Sequence, residues 1–376
     1  MKGEMFMKLK RFFACLLILT AITMSLVSCG SSDDTKKTET TKQTKVEQTP
    51  INGELKVHFI DVGQGDATFI ELPNDKTMLI DAGPSDREVT DYIKSNGYDS
   101  IDYVIATHPD ADHINGMPEI LNTFKVGTFY MPEKEHTTAI FEKTLDSITE
   151  NGCKTKYAVA GKNIIDKDEL KIYFVGPVEK YNDNNACSAV VKLEYKQTSF
   201  LFTGDADHTS ESDMLKGNYD LSADILKVGH HGSSSSSSVE FINAVRPKDA
   251  IISVGANSYG HPTDEVLNIL SNVGASIYRT DDVGTITVTS DGAIYTIDKA
   301  SSPINPPIEE TNDSAQDNTQ GNAQEDTTTV TVYITRTGTK YHSAGCSYLK
   351  SSSIEITLDE AKADGLTPCS RCNPPE

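Results

Sequence analysis

Within His108-Pro109-Asp110-Ala111-Asp112-His113, two imidazoles and two carboxylates are crowded into six residues. A fold must either spread such groups in water or bind cations between them, because neighbouring carboxylates repel. The cluster follows an apolar run, Tyr103-Val104-Ile105-Ala106, that reads as a buried strand, and it precedes a helical pattern starting near Asn115. It therefore lies in a strand-to-helix loop, where a rigid strand holds the backbone and several side chains can converge on one point. A dinuclear metal centre resolves the charge conflict. A solvated acidic turn with capping Asp residues is the plainer alternative.

Other segments end in the same way. Asp81 follows Met78-Leu79-Ile80, and Asp205 follows Phe200-Leu201-Phe202-Thr203-Gly204. His230 and His231 follow the run 225–228, and His261 comes a short loop after 251–254. The plainer reading of His230 and His231 is a pair of loop histidines beside the serine tract 233–238. That tract reads either as a mobile substrate-facing loop or as low-complexity slippage. The turn 61–67, with two glycines and Asp66, reads as a tight turn with side-chain caps, and Asp81 as a group that orients a ligand histidine.

Short β-type runs at 55–60, 67–72 and 77–80 open the folded part as a meander. Helical patterns at 86–96, 115–124 and 137–151 then alternate with strands at 103–106, 126–131 and 156–158. Runs at 171–175, 189–195, 199–202, 225–228, 250–254, 276–279 and 285–289 supply a second set of strands, with a helix near 264–273. Two strand-rich halves wrapped by helices predict an α+β fold, a four-layer αββα sandwich, with the metal-type side chains along one edge.

In their order and spacing, five segments resemble the metallo-β-lactamase fold superfamily, and within it the extracytoplasmic domain of ComEC-type competence proteins. They are His58-Phe59-Ile60-Asp61-Val62-Gly63-Gln64-Gly65-Asp66-Ala67, the 108–113 loop, Leu201-Phe202-Thr203-Gly204-Asp205-Ala206, Lys227-Val228-Gly229-His230-His231-Gly232-Ser233 and Tyr259-Gly260-His261-Pro262. The resemblance implies that His108, Asp110, Asp112 and His113 are metal ligands and that Asp205 bridges two metals. It leaves His230, His231 and His261 to complete the metal shell, contact a phosphate or protonate a leaving group; we expect His230 as a ligand, and Asp112, His231 and His261 as catalytic groups. Asp110 stands where most members have His, which makes the site richer in oxygen and Mn²⁺ as plausible as Zn²⁺. The segment 184–188, where many members place another ligand His, has none, so Cys187 or a water is a possible substitute.

The C-terminal segment carries His342, Cys346, Cys369 and Cys372, two close pairs on either side of a helical stretch at 358–363 that follows a strand-like 329–334. Four N/S ligands suit a closed tetrahedral zinc site, and so short a segment needs metal binding to fold. A Cys369–Cys372 or Cys346–Cys369 disulfide is the alternative. The segment resembles the small zinc-binding module of the Ada DNA-repair protein.

The formal charge of −21 becomes about −24 without residues 1–28, which carry four basic residues and one acidic. So acidic a chain is not a passive coat for nucleic acid, which relies on Lys and Arg, although bound metals can supply positive charge locally. Residues 1–29 read as a lipoprotein signal, basic and then apolar, ending at a lipidated Cys29; an uncleaved N-terminal membrane helix is the alternative. Either places the remainder outside the cytoplasm. The expected organisation is the signal 1–29, a flexible tether 30–52, the hydrolase domain 53–298, an acidic Pro-containing linker 299–328 and a small zinc-binding domain 329–376.

These features predict a surface-tethered hydrolase with two divalent metals and a structural zinc, acting on phosphodiesters of extracellular DNA or nucleotides. A lactam, lactone or thioester hydrolase of the same fold is one alternative. A non-catalytic surface lipoprotein that captures DNA is another. No protein partner is inferable.

Overall fold

The computed structural model describes residues 51–303 apart from 52, 86 and 168, together with most of 331–374. The expected signal, Cys29 and most of both tethers lie outside the described residues. The chain divides into two compact units, Met1–Ile308 and Glu309–Glu376.

In the first unit, β1 (Leu55–Phe59), β2 (Thr68–Glu71) and β3 (Thr77–Ile80) form the expected antiparallel meander. The sheet continues in parallel through β4 (Ser100–Ile105), β5 (Lys125–Met131) and β6 (Lys154–Tyr157). Helices α1 (Glu88–Ser95), α2 (Ala111–Ile114), α3 (Met117–Thr123) and α4 (Ala139–Asn151) lie in the crossovers. A second sheet starts antiparallel with β7 (Asn163–Lys167), β8 (Leu170–Gly176), β9 (Val190–Tyr195) and β10 (Thr198–Phe202). It then runs parallel through β11 (Ile225–Lys227), β12 (Asp249–Ile252) and β13 (Ser276–Arg279), with α5 (His208–Lys216), α6 (Val239–Val245) and α7 (Asp264–Asn272) between the strands.

Side-chain alternation builds the layers. Leu55, Val57 and Phe59 of β1 and Met78 and Ile80 of β3 meet Ile172, Phe174, Val191 and Leu193 in a core between the two sheets. On the other face of the first sheet, Leu79, Val104 and Phe129 pack under Val89, Ile120, Phe141, Leu145 and Ile148 of the helices. Leu201, Leu226 and Ile252 do the same under Met214, Phe241, Ile242, Val266 and Leu270. Strands covered on both faces are largely apolar, as β3 is from Met78 to Ile80. The result is the expected four-layer αββα sandwich.

Several elements depart from the expectation. The run near 285–289, assigned to the second set of strands, is β14 (Ile286–Ser290) and pairs with β1 in the first sheet, followed by β15 (Tyr295–Ile297). That pairing joins residues more than 200 apart, and nothing in the local pattern encodes it. Strand β7 and helices α5 and α6 are also additions. The serine tract is an ordered connection: Ser236 and Ser237 are buried, and the Glu211 carboxylate of α5 accepts the backbone N–H groups of Ser237 and, at 2.9 Å, Ser238. Ser238 then caps α6, its hydroxyl accepting from the Phe241 N–H.

The second unit is a four-stranded sheet of order β18-β16-β17-β19, made from β16 (Thr331–Ile334), β17 (Lys340–His342), β18 (Ile354–Thr357) and β19 (Thr367–Pro368). Helix α8 (Leu358–Ala363) closes a small core of Val332, Tyr341, Leu358 and Ala361. Among the described residues, no helix is long and apolar enough to cross a membrane.

Candidate metal centre

The loops that follow β3, β4, β10, β11 and β12 meet at one place. Asp81, just after β3, is buried with a left-handed backbone (φ 58°) and organises the next loop. Its carboxylate accepts the Thr107 N–H at 2.8 Å, the Thr107 hydroxyl at 2.6 Å and the His113 Nδ1–H at 2.8 Å. Because the single Thr107 hydroxyl proton goes to Asp81, Thr107 Oγ1 accepts from His108 Nδ1, 3.1 Å away. His231 Nδ1 donates to the Ser253 carbonyl at 2.8 Å. Each of these three imidazoles is thereby held in the tautomer that turns an Nε2 lone pair inward, the usual preparation of a histidine for a metal.

Those lone pairs surround Asp205, which β10 delivers through Gly204. Gly204 has φ +52°, and a Cβ there would meet Thr107 Cβ at 2.8 Å. Asp205 Oδ1 lies 3.3 Å from His113 Nε2; Oδ2 lies 3.9 Å from His108, 3.6 Å from His231 and 3.7 Å from His230, each measured to Nε2. The Ser188 hydroxyl accepts the Asp205 N–H at 3.2 Å. Asp112 Oδ2 is 3.2 Å from His231 Nε2 and 3.9 Å from His113 Nε2, and Asp110 Oδ2 is 3.6 Å from His108 Nε2. One donor atom each from His108, His113 and Asp205, and one each from Asp112, His113 and His231, fall within 4.8 Å of one another.

The donors are short of partners. His108 Nε2, His113 Nε2 and Asp205 Oδ1 are buried without a hydrogen bond, which would be costly unless an ion completes them. Burial pushes the Asp205 carboxyl up, yet His113 and His231 hold it well below its ordinary value. Burial lowers His113, but Asp205 and Asp81 raise it well above the usual imidazole range. Asp112 is likewise pushed up by burial and brought down, to about 2, chiefly by His231 and His113. The pocket is built for positive charge, and its imidazole and carboxylate donors fit divalent ions.

His230 and His261 stand at the open side. His230 is half-buried, its Nδ1 3.1 Å from the Ser235 hydroxyl, and its ring lies 5.5 Å from that of His261. Both His230 and His231 have left-handed backbones (φ 50° and 55°), and both bring Nε2 to the same oxygen of Asp205, Oδ2. Asp110 Oδ1 accepts from Asn184 Nδ2 at 2.7 Å. Cys187 belongs to none of the donor clusters; its thiol donates to the Asn184 carbonyl at 2.9 Å, and burial pushes it up to about 12.

Asp66, expected only within a capped tight turn, and Lys227, for which the sequence suggests no role, both stand at the centre. Asp66 is not a surface cap: it is buried, its N–H donates to the Asp112 carbonyl at 3.2 Å, and its carboxylate lies 3.6 Å from His231 Nδ1. It forms an ion pair with the equally buried Lys227 ammonium. The turn must be tight, since a Cβ on Gly65 would meet the Asp112 carbonyl oxygen at 2.4 Å. The available signal was Lys227 itself, a charge inside the apolar run of β11, where a lysine needs a buried partner.

In the second unit, His342, Cys346, Cys369 and Cys372 each bring a donor atom within 4.8 Å of the others. All three cysteines are free thiols, and Cys372 Sγ lies 3.8 Å from His342 Nδ1.

Comparison with known proteins agrees with this geometry. The model of the metallo-beta-lactamase superfamily matches residues 60–256. ComE operon protein 3 of Bacillus subtilis is 31% identical over 258 residues, 63% of this chain and 33% of that protein. Competence protein ComA of Neisseria gonorrhoeae is 31% identical over 247 residues, 64% of this chain and 33% of that one. Recombination protein 2 of Haemophilus influenzae is 28% identical over 243 residues, 62% and 28% of the two chains. The match thus spans about a third of the length of these curated relatives. With its αββα layers and its histidines and carboxylates gathered at the strand ends, the chain belongs to the metallo-beta-lactamase superfamily.

Proposed function

We propose that the chain is a two-metal phosphodiesterase acting on DNA or nucleotides. The observation that carries this reading is Asp205, a buried carboxylate whose two oxygens face imidazole nitrogens of His113 and His108 that make no hydrogen bond. On one side Asp112, His113 and His231 would hold one ion; on the other, His108 and Asp110 would hold the second, with Asp205 shared. On this reading His231, expected as a catalytic group, would serve as a ligand, a role supported by its burial among the donors. His230, expected as a ligand, stands with His261 facing the open side. Two such ions, Zn²⁺ or Mn²⁺, supply Lewis acidity and an activated water.

The chain's own residues do the rest. Asp81, Thr107 and Ser253 fix imidazole orientation, and Asn184 steadies Asp110. His230 and His261, whose values burial pushes below the usual range, are available to donate to a phosphate oxygen or to carry a proton to the leaving group. The oxygen-rich donor set and relatives named for competence and recombination favour a phosphodiester over a lactam or lactone. The same reading gives the second unit a structural zinc and tethers the chain outside the cytoplasm through a lipidated Cys29, which incorporation of labelled palmitate in cells would check.

The test uses the full chain loaded with Mn²⁺ or Zn²⁺, assayed on bis(p-nitrophenyl) phosphate, DNA, nitrocefin and lactones. Asp112→Ala should lower phosphodiester cleavage by at least ~100-fold. An Asp112→Ala variant as active as the parent, or activity confined to nitrocefin or lactones, overturns the reading.

A further inference from the structure

One aromatic beside the candidate metal centre, Tyr259, stands exposed. Tyr259 is 73% exposed, the most open of the large exposed apolar side chains among the described residues. Its ring rests against His261 at 5.7 Å and a 32° interplanar angle, and His261 in turn meets His230 at 5.5 Å. With His230 Nε2 3.7 Å from Asp205 Oδ2, the three rings form a row leading from the metal centre to solvent.

The loop that presents Tyr259 is held firmly. Asn257 Oδ1 accepts the backbone N–H groups of Tyr259, Gly260 and His261 at 3.0, 3.0 and 3.1 Å. Its Nδ2 donates to the Gly255 and His261 carbonyls at 2.9 and 2.8 Å. An exposed ring on so constrained a loop loses little further freedom when something stacks on it. Its free face needs a flat, π-faced partner, which both explains the exposure and fits a row of rings leading to a phosphodiester site.

Charge narrows the partner. The chain carries −21 overall, and Lys134, near the Asp110 side, is occupied with the carbonyls of Tyr181 and Asn182. So acidic a chain offers a polyanionic strand little general electrostatic attraction beyond what bound metals supply. Stacking on an aromatic platform supplies affinity without positive charge, and it accepts any base.

We propose that Tyr259, backed by His261, is a nucleobase-stacking subsite for a nucleotide flanking the scissile phosphate in single-stranded substrate. The proposal rests on the phosphodiesterase reading. Because the chain has no Trp, Tyr259→Trp keeps a stacking surface and adds a unique fluorophore.

The full chain is tested with oligothymidylate and with an abasic oligonucleotide of the same length. Tyr259→Ala should raise KM for oligothymidylate roughly 5- to 150-fold, with the larger effect in KM and not in kcat, and Tyr259→Trp should recover most of it. The gap between variants should close on the abasic strand. Fluorescence of Tyr259→Trp should be quenched by oligothymidylate and not by the abasic strand. A Tyr259→Ala KM equal to that of the parent, or equal quenching by both strands, overturns the stacking subsite while leaving the phosphodiesterase reading intact. A parent chain that cleaves neither strand overturns the phosphodiesterase reading, and the quenching titration still decides whether Tyr259 stacks a base.

Discussion

Lys227 and Asp66 show how one residue sets the electrostatics of the whole centre. Five carboxylates, from Asp66, Asp81, Asp110, Asp112 and Asp205, converge there. Two divalent ions would leave one negative charge unmatched, and the Lys227 ammonium balances it from beneath. The pair also keeps Asp66 engaged, although Asp66 lies near enough to Asp205 and His231 to form a donor cluster of its own. Removing one partner of a buried ion pair leaves the other charge uncompensated. Lys227→Met should therefore destabilise the metal-free protein by about 3–5 kcal/mol in urea unfolding. The double variant Asp66→Asn/Lys227→Met should lose less than the single one. Additive losses in that double-mutant cycle would show that the two side chains are not coupled.

At the scale of elements, the connection from β11 to α6 decides where the later histidines point. It carries three left-handed non-glycine residues, His230, His231 and, within the serine segment, Ser237, and several of the serine hydroxyls and N–H groups are engaged. Ser236 donates to the Ala206 carbonyl at 2.7 Å, tying the segment to the loop that carries Asp205. Glu211 of α5 anchors it from below. Glu211→Ala should strand two buried N–H groups and cost about 1–3 kcal/mol. Hydrogen exchange at 233–238 should accelerate while the strands of both sheets keep their protection. If exchange in that segment is unchanged, another contact is the anchor.

At the scale of the molecule, the two units differ in what holds them. The first has three apolar cores between and outside its sheets, enough to fold on burial alone. Among the described residues, the second has four buried apolar residues in its main cluster, and its other cluster is formed around Cys346, Leu349 and Cys369. With so small a core, the zinc proposed for His342, Cys346, Cys369 and Cys372 would supply much of its stability. Cys369→Ser should lower zinc content by one ion per chain and unfold residues 331–374, as NMR or limited proteolysis would report. The unfolding midpoint of the first unit should stay within a degree or two. Unchanged zinc content would remove the tetrahedral site from the account.

The layered fold and the 108–113 loop were legible because both are local: strand period and apolar runs mark what is buried, and a dense set of donors after a strand marks a loop built to bind. Asp205 was legible for the same reason, at the end of its own apolar run. The pairing of β14 with β1, the anchoring of the serines by Glu211 and the Asp66–Lys227 pair were not, since each joins segments far apart in the chain. The sequence by itself determined most strands of the two sheets and the chemical character of the donors at their ends, but not the helices α5 and α6 beside them. Only the tertiary structure decided that His231 reaches Asp205 from a buried position and His230 reaches the same carboxylate oxygen from a more open one, because both rest on left-handed backbone angles that follow from the packing around them.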